Sequence, residues 1–141
     1  MKTYFQAFIV ILIATATTRG DFSPEGGAKV YIGDNGAKLT LVTVKPRSKN
    51  KVLVLFEGTD SDWDGRILLL DIRDAGRNAD YVTEWDGKSV VPFVSRNFGG
   101  ASAQFYVNPP KRRGDIAVRY NAKQSEKADT MSVINRYHHK K

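Results

Sequence analysis

The sequence predicts an all-β fold, a two-sheet antiparallel β-sandwich or jelly roll of about eight or nine short strands. Three observations point there. Short apolar runs recur at regular intervals with turn residues between them. Several of these runs alternate apolar and polar side chains with the period of two that a half-buried strand requires. No stretch carries a convincing long amphipathic helix, and no internal repeat is visible.

Taken in order, the chain opens on a segment unlike the rest. Lys2 is followed by the uncharged apolar run Phe8 to Ala14, and then by small residues at Ala14-Thr15-Ala16 and Thr18-Arg19-Gly20. This is the layout of a secretory signal peptide over residues 1–20, with processing near Thr17 or Asp21. The apolar run is about half of the roughly 20 residues that span a bilayer as a helix, so no stable membrane anchor is expected after processing. Residues 21–141 then form a single β-sandwich domain that ends in a basic tail.

Within that domain Ala28, Val30 and Ile32 alternate with Lys29 and Tyr31, and Gly33-Asp34-Asn35-Gly36 makes a turn. Leu39 to Val44 is rich in β-branched residues and stops at Lys45-Pro46. Val52 to Phe56 and Ile67 to Ile72 are apolar on both faces, which marks strands covered from both sides. Tyr81 to Trp85 and Val90 to Val94 flank a turn at Asp86-Gly87. Pro92 cannot donate to a ladder, so its strand lies at an edge or carries a bulge. Phe98-Gly99-Gly100 punctuates the chain before Ala103, Phe105 and Val107 alternate. After the loop Asn108 to Gly114, Ile116, Val118 and Tyr120 alternate again. The polar stretch 121–129 reads as a loop. For 131–137, Met131, Val133 and Tyr137 suit a final strand, which we prefer, while Ala128, Met131, Ile134 and Tyr137 suit a helix.

Composition narrows function. The chain has no cysteine, so a packed apolar core has to stabilise it. Thiol catalysis and cysteine-based zinc sites are excluded. The absence of cysteine and of Asn-x-Ser/Thr points to a bacterial secreted or periplasmic setting. The net charge of +7 is unevenly spread, with basic residues between Lys29 and Lys51, acids between Glu57 and Asp86, and basic residues again after Lys111. The acidic centre opposes nucleic-acid binding, and no recognition motif for it appears.

The sharpest candidate site is Asp60-Ser61-Asp62-Trp63-Asp64-Gly65, with Asp71 further on. Calcium takes about six to eight oxygens, and alternate carboxylates on a tight loop converge on one point. The stretch resembles the Asp-x-Asp-x-Asp-Gly calcium loop of EF-hands, which implies calcium ligation by Asp60, Asp62, Asp64 and Asp71. It departs from that pattern in lacking flanking helices and in placing Asp71 where a glutamate normally stands. The plainer alternative is a polar turn between two apolar strands. Within the loop, Trp63 and Arg66 are the expected contacts to a partner, since Trp63 sits among charges.

Together these features predict a non-catalytic binding domain whose partner is another protein, as for an inhibitor or immunity protein, or an envelope polymer. The alternative is a small glycan-active hydrolase using a carboxylate pair, Glu57 with Asp60 or Glu84 with Asp86. His138 and His139 lie in the basic tail, without the ordered surroundings a catalytic triad needs.

Overall fold

Each apolar run between Lys29 and Tyr120 becomes a strand that pairs with its neighbour in sequence. The computed structural model describes residues 22–75, 78–96, 104–111 and 114–140. The expected signal peptide, Phe98-Gly99-Gly100 and Arg112-Arg113 lie outside the described residues. The strands are β1 (Lys29–Gly33), β2 (Lys38–Thr43), β3 (Lys51–Glu57), β4 (Ile67–Ala75), β5 (Asn78–Trp85), β6 (Lys88–Arg96), β7 (Gln104–Val107) and β8 (Ile116–Tyr120).

They form a closed barrel, not the expected two-sheet sandwich or jelly roll. All neighbours are antiparallel in the order of the chain, and β8 returns to pair with β1, with Tyr31 opposite Tyr120 and Gly33 opposite Val118. A sandwich and a barrel share the same strand periodicity. Closure satisfies the ladder groups that an edge strand would leave open.

Pro92 sits in a closed sheet with no edge. Its strand carries the register irregularity foreseen as the other option, since the pairing steps from Tyr81↔Phe93 to Thr83↔Val90. Val91 and Pro92 together face Val82, so the missing donor falls where the ladder is already broken. Asn108 braces the irregularity: its backbone N–H donates to Pro92 O at 2.9 Å and its Nδ2 to Val91 O at 3.2 Å.

The barrel interior takes one residue in two from each strand. Leu39 and Leu41, Val52, Val54 and Phe56, Leu70, Phe93, Val107, Ile116 and Val118 are buried there. The charged residues Asp71, Arg73, Asp80 and Glu84 alternate outward on β4 and β5 with inward Leu70, Ile72, Tyr81 and Trp85. This is the reverse of the apolar-out pattern of a barrel that spans lipid. No helix among the described residues is long and apolar enough to cross a membrane.

Segment 131–137 is helical, which corrects the preferred strand. Helix α1 (Ala122–Lys127) and helix α2 (Thr130–His139) follow β8. Asn121 caps the first, accepting from Gln124 N, and Asp129 caps the second, accepting from Ser132 N at 3.1 Å. Helix α2 lies across the outside of β2, β3 and β4. There Val133 and Ile134 bury against Val42, Val44, Leu53, Leu55 and Ile67, with Phe22 and Tyr137 packed at the margin. That outer core explains why the β3 and β4 runs are apolar on both faces: one face looks into the barrel and the other lies under the helix.

Tyr31 is 6% exposed and meets Phe105, Phe93 and Tyr120 at ring-centroid distances of 4.7, 5.5 and 5.9 Å. Burial, and then the neighbouring Tyr81 and Tyr120, push its phenol up to about 12. The native state therefore keeps a proton that the unfolded chain loses near the ordinary value of about 10. This contribution to stability is complete below that value and disappears as pH rises towards about 12. At ~1.4 kcal/mol per pH unit, the Tyr31 share of the fall in unfolding free energy should be about 2–3 kcal/mol across the window, with Tyr81, also raised by burial, adding its own, and Tyr31→Phe should remove the Tyr31 share. Denaturant melts at stepped alkaline pH measure it; equal slopes in the two proteins would contradict the assignment.

Candidate binding site at the mouth of the barrel

The two ends of the barrel are finished differently. One is closed by the β3–β4 loop, Gly58 to Arg66. Its stem is tied by Gly65 N–H to Phe56 O at 2.7 Å and Phe56 N–H to Arg66 O at 3.1 Å. Inside the loop the Asp64 carboxylate accepts from Thr59 N–H at 2.7 Å, from the Thr59 hydroxyl and from Ser61 N–H at 3.4 Å, and the Ser61 hydroxyl accepts from Trp63 N–H at 3.2 Å. These bonds turn Trp63 inward as a plug. It is 1% exposed, with ring centroids 5.3 Å from Phe56 and 6.1 Å from Trp85.

Gly58 makes this crossing possible. Its φ is +64°, and a Cβ there would stand 2.3 Å from Gly36 O in the β1–β2 loop. Backbone cannot yield as a side-chain tip would, so Gly58→Ala should cost about 2–4 kcal/mol, read as a fall in the urea midpoint. Gly87→Ala, also at positive φ but with open space around it, is the control and should cost distinctly less.

The Asp-rich loop is therefore organised around its own side chains. Asp62 pairs with Lys111 at 3.0 Å, Asp71 pairs with Lys51 at 2.7 Å across β3 and β4, and Asp60 stands exposed at φ 52°. The structure does not gather the four carboxylates expected to hold calcium: among the described residues no group of three His, Cys, Asp or Glu is placed to hold a metal ion. Trp63, expected as an exposed partner contact, is corrected to a buried plug. Its position in a polar stretch hid this, because loop residues are ordinarily exposed. Arg66 remains exposed and stacks over Trp85 at 5.3 Å, beside a shallow hollow that Lys140 also lines.

Partial burial by itself would raise the Asp64 pKa, but the hydrogen bonds from the Thr59 hydroxyl and the amides of Thr59, Ser61 and Asp60 outweigh it and hold the carboxyl below its usual range. The stability it supplies is present above the ordinary carboxyl value of about 4 and is lost as pH falls through the lower native value. Because the carboxylate is exposed and water screens its interactions, Asp64→Asn should lower stability by no more than about 1 kcal/mol at neutral pH, with the gap to the parent closing in acid. Urea melts at pH 7 and in acid check this; a gap that stays constant would refute it.

At the other end of the barrel the described residues line a cavity of about 400 Å³, walled in part by inward positions at the ends of the strands. Lys29 precedes inward Tyr31, Thr43 follows inward Leu41, and Asp74 follows inward Ile72; Ile72 and Tyr81 line the cavity and also pack on the barrel core. Arg47 and Asn50 of the β2–β3 loop complete one side. Next to Tyr81, at 4.8 Å, begins the ring cluster of Phe93, Phe105, Tyr31 and Tyr120.

A short lead-in segment leans over this mouth. Pro24 bridges to Val44, Lys45 N–H donates to Ser23 O at 2.8 Å, and Glu25 N–H donates to Thr43 O at 2.8 Å. Gly26, at φ +79°, then turns the chain into β1, leaving Glu25 among the residues that line the cavity. Sequence reading passed over these residues, since Glu25, Thr43, Ile72 and Tyr81 share no motif. For Asp74 the alternation with Leu70 and Ile72 was a usable signal; for Lys29 it pointed the wrong way, since Ala28, Val30 and Ile32 read as the apolar face whereas Tyr31 is the residue that enters the barrel core.

The carboxylates considered for hydrolysis lie elsewhere. Glu57 and Glu84 alternate with inward Phe56 and Trp85, so both are on the outside of the barrel, near the plugged end, and Asp86 is in the β5–β6 turn at φ 52°. Nor do the acidic and basic stretches of sequence stay apart. The Lys51–Asp71 and Lys111–Asp62 pairs join them across the fold.

No protein-family model matches the chain, and no curated protein or solved structure matches it either.

Proposed function

We propose that this chain is a secreted or periplasmic, non-catalytic binding domain that takes a small amphipathic molecule in the cavity at the mouth of its barrel. One observation carries the reading: a cavity of about 400 Å³ at one end of a barrel whose other end is plugged by Trp63. An eight-stranded barrel has room for its own side chains or for one small ligand, and small-molecule sites commonly measure about 300–1,000 Å³. Ile72 and Tyr81, which pack on the barrel core, give the cavity an apolar and aromatic part, while most of its lining is polar and includes the exposed Lys29, Arg47 and Asp74. The placement of Glu57 and Glu84 on the outer surface favours binding over hydrolysis. Recognition of a protein or polymer loses its strongest support, because Trp63 presents no surface to a partner.

Phenethyl alcohol, titrated into isotope-labelled protein, tests the reading. Amide shift changes should centre on Lys29, Thr43, Ile72 and Tyr81, and Ile72→Trp, which fills the mouth, should weaken binding by about tenfold. Shifts centred on another surface, or none at millimolar concentration, would overturn it.

A further inference from the structure

The β1–β2 turn, Asp34-Asn35-Gly36, hangs between two anchored stems. On one side Gly33 N–H donates to Ala37 O at 2.8 Å, and a Cβ on Gly33 would meet Ala117 O at 3.0 Å, so β8 closes on that stem. On the other side Ala37 is fully buried in the barrel core, and Gly36 O would stand 2.3 Å from a Cβ on Gly58, so the plug loop closes on that stem too. Between the anchors Asn35 is exposed. Neither its side chain nor the Gly36 N–H has a hydrogen-bond partner among the described residues, and open space surrounds the place a Gly36 Cβ would take.

This is the only asparagine–glycine step in the chain. Elsewhere Asn108 and Asn121 are held by their own side-chain hydrogen bonds. Asp64-Gly65 has the same spacing, but the Gly65 N–H is committed to Phe56 O and an ionised carboxylate resists nucleophilic attack.

We infer that Asn35 is a site of spontaneous deamidation whose product loosens the plugged end of the barrel. The Gly36 backbone nitrogen attacks Asn35 Cγ and a new C–N bond closes a five-membered succinimide. The Cγ–Nδ2 bond breaks, and the amide proton of Gly36 leaves with the amino group as ammonia. No Cβ on Gly36 bars the approach. Water then opens the ring at either carbonyl. Opening at the side-chain carbonyl gives aspartate on an unchanged backbone. Opening at the main-chain carbonyl gives isoaspartate, whose main chain is longer by one methylene. A turn of three residues between fixed stems absorbs that extra atom only by moving Gly36 off Gly58, and Gly58 is the crossing that seats Trp63.

Ageing the protein in mildly alkaline buffer and mapping the tryptic peptide Val30–Lys38 by mass and by isoaspartyl methyltransferase labelling tests this. That peptide should gain about one dalton at least about tenfold faster than any other asparagine-containing peptide, and Asn35→Gln should abolish the gain. The isoaspartate pool, separated by its charge, should melt about 3–6 °C below fresh protein, with tryptophan emission shifted to the red. Asn35→Asp carries the same charge on an ordinary backbone and should melt with the parent. If Val30–Lys38 ages no faster than the other peptides, or ages equally in Asn35→Gln, the site is wrong. If the isoaspartate pool melts with Asn35→Asp, the coupling to the plug is wrong.

Discussion

Trp63→Ala is expected to cost about 3–5 kcal/mol, as large aromatic-to-alanine changes in a packed core do. Trp63 heads the fully buried large side chains, and its ring contacts reach both Phe56 in β3 and Trp85 at the end of β5. Its removal takes away three things together: the apolar surface of the indole, the tilted and edge-to-face contacts with two further rings, and the cap that keeps water from that end of the barrel. The loop cannot collapse to fill the space, because Gly58 is already in contact range of Gly36 and the stem is tied at Phe56. Chemical denaturation would show the loss as a lower midpoint with little change of slope. Trp63→Phe, which keeps a ring, should recover about half of it. The indole Nε1 is buried without a hydrogen-bond partner among the described residues, so deleting that group adds nothing to the cost of the change. A loss under ~1 kcal/mol for Trp63→Ala would mean that the indole is not the plug described here.

Ile134→Asp is expected to cost about as much by a different route. Ile134 is 2% exposed and lies with Val133 between α2 and the outer faces of β2, β3 and β4. An aspartate there places an unpaired charge in an apolar layer, which drives the helix off the sheet instead of unfolding the barrel outright. The expected result is a loss of about 3–5 kcal/mol together with fast amide exchange confined to α1 and α2. Val42, Val44, Leu53, Leu55 and Ile67 would then face solvent as a contiguous apolar patch, so the variant should bind a hydrophobic dye and self-associate, with its strand signal retained. Slow exchange in α2, as in the parent, would show that the helix contributes little to covering this face. Met131, which is 49% exposed on the same helix, is the control position and should accept aspartate with little change.

The strands were legible because their signal is local. Val52 to Phe56, Leu39 to Val44 and Ile116 to Tyr120 carry their periodicity within a few residues, and Asp86-Gly87 sits at the one turn its chemistry suits. The final helix was half legible. Asp129 with Ser132 is a sound N-cap, and Ala128, Ile134 and Tyr137 keep helical spacing, yet Met131 and Val133 also fit a strand and the segment is short. What decided between them was the outer apolar face of β2 to β4, which needs cover and lies far away in sequence. The spacing of the acids did not show where the fold would carry each of them, for a related reason. Spacing placed four acids in register with a calcium loop, but a strand under Asp71 and a basic partner for both Asp62 and Asp71 arise only from pairing across the sheet.

By itself, then, the sequence determined a cysteine-free β chain, the approximate positions of its eight strands, and a polar, Asp-rich loop between two apolar strands. These follow from propensity, period and turn chemistry, all of which act over a few residues. The tertiary structure alone decided that β8 meets β1, that Trp63 points inward, that α2 covers one side, and that Glu25, Ile72 and Tyr81 share a cavity. Each of these depends on contacts between residues distant in the chain, where the free energy of burial, and not local preference, selects among arrangements that the same pattern permits.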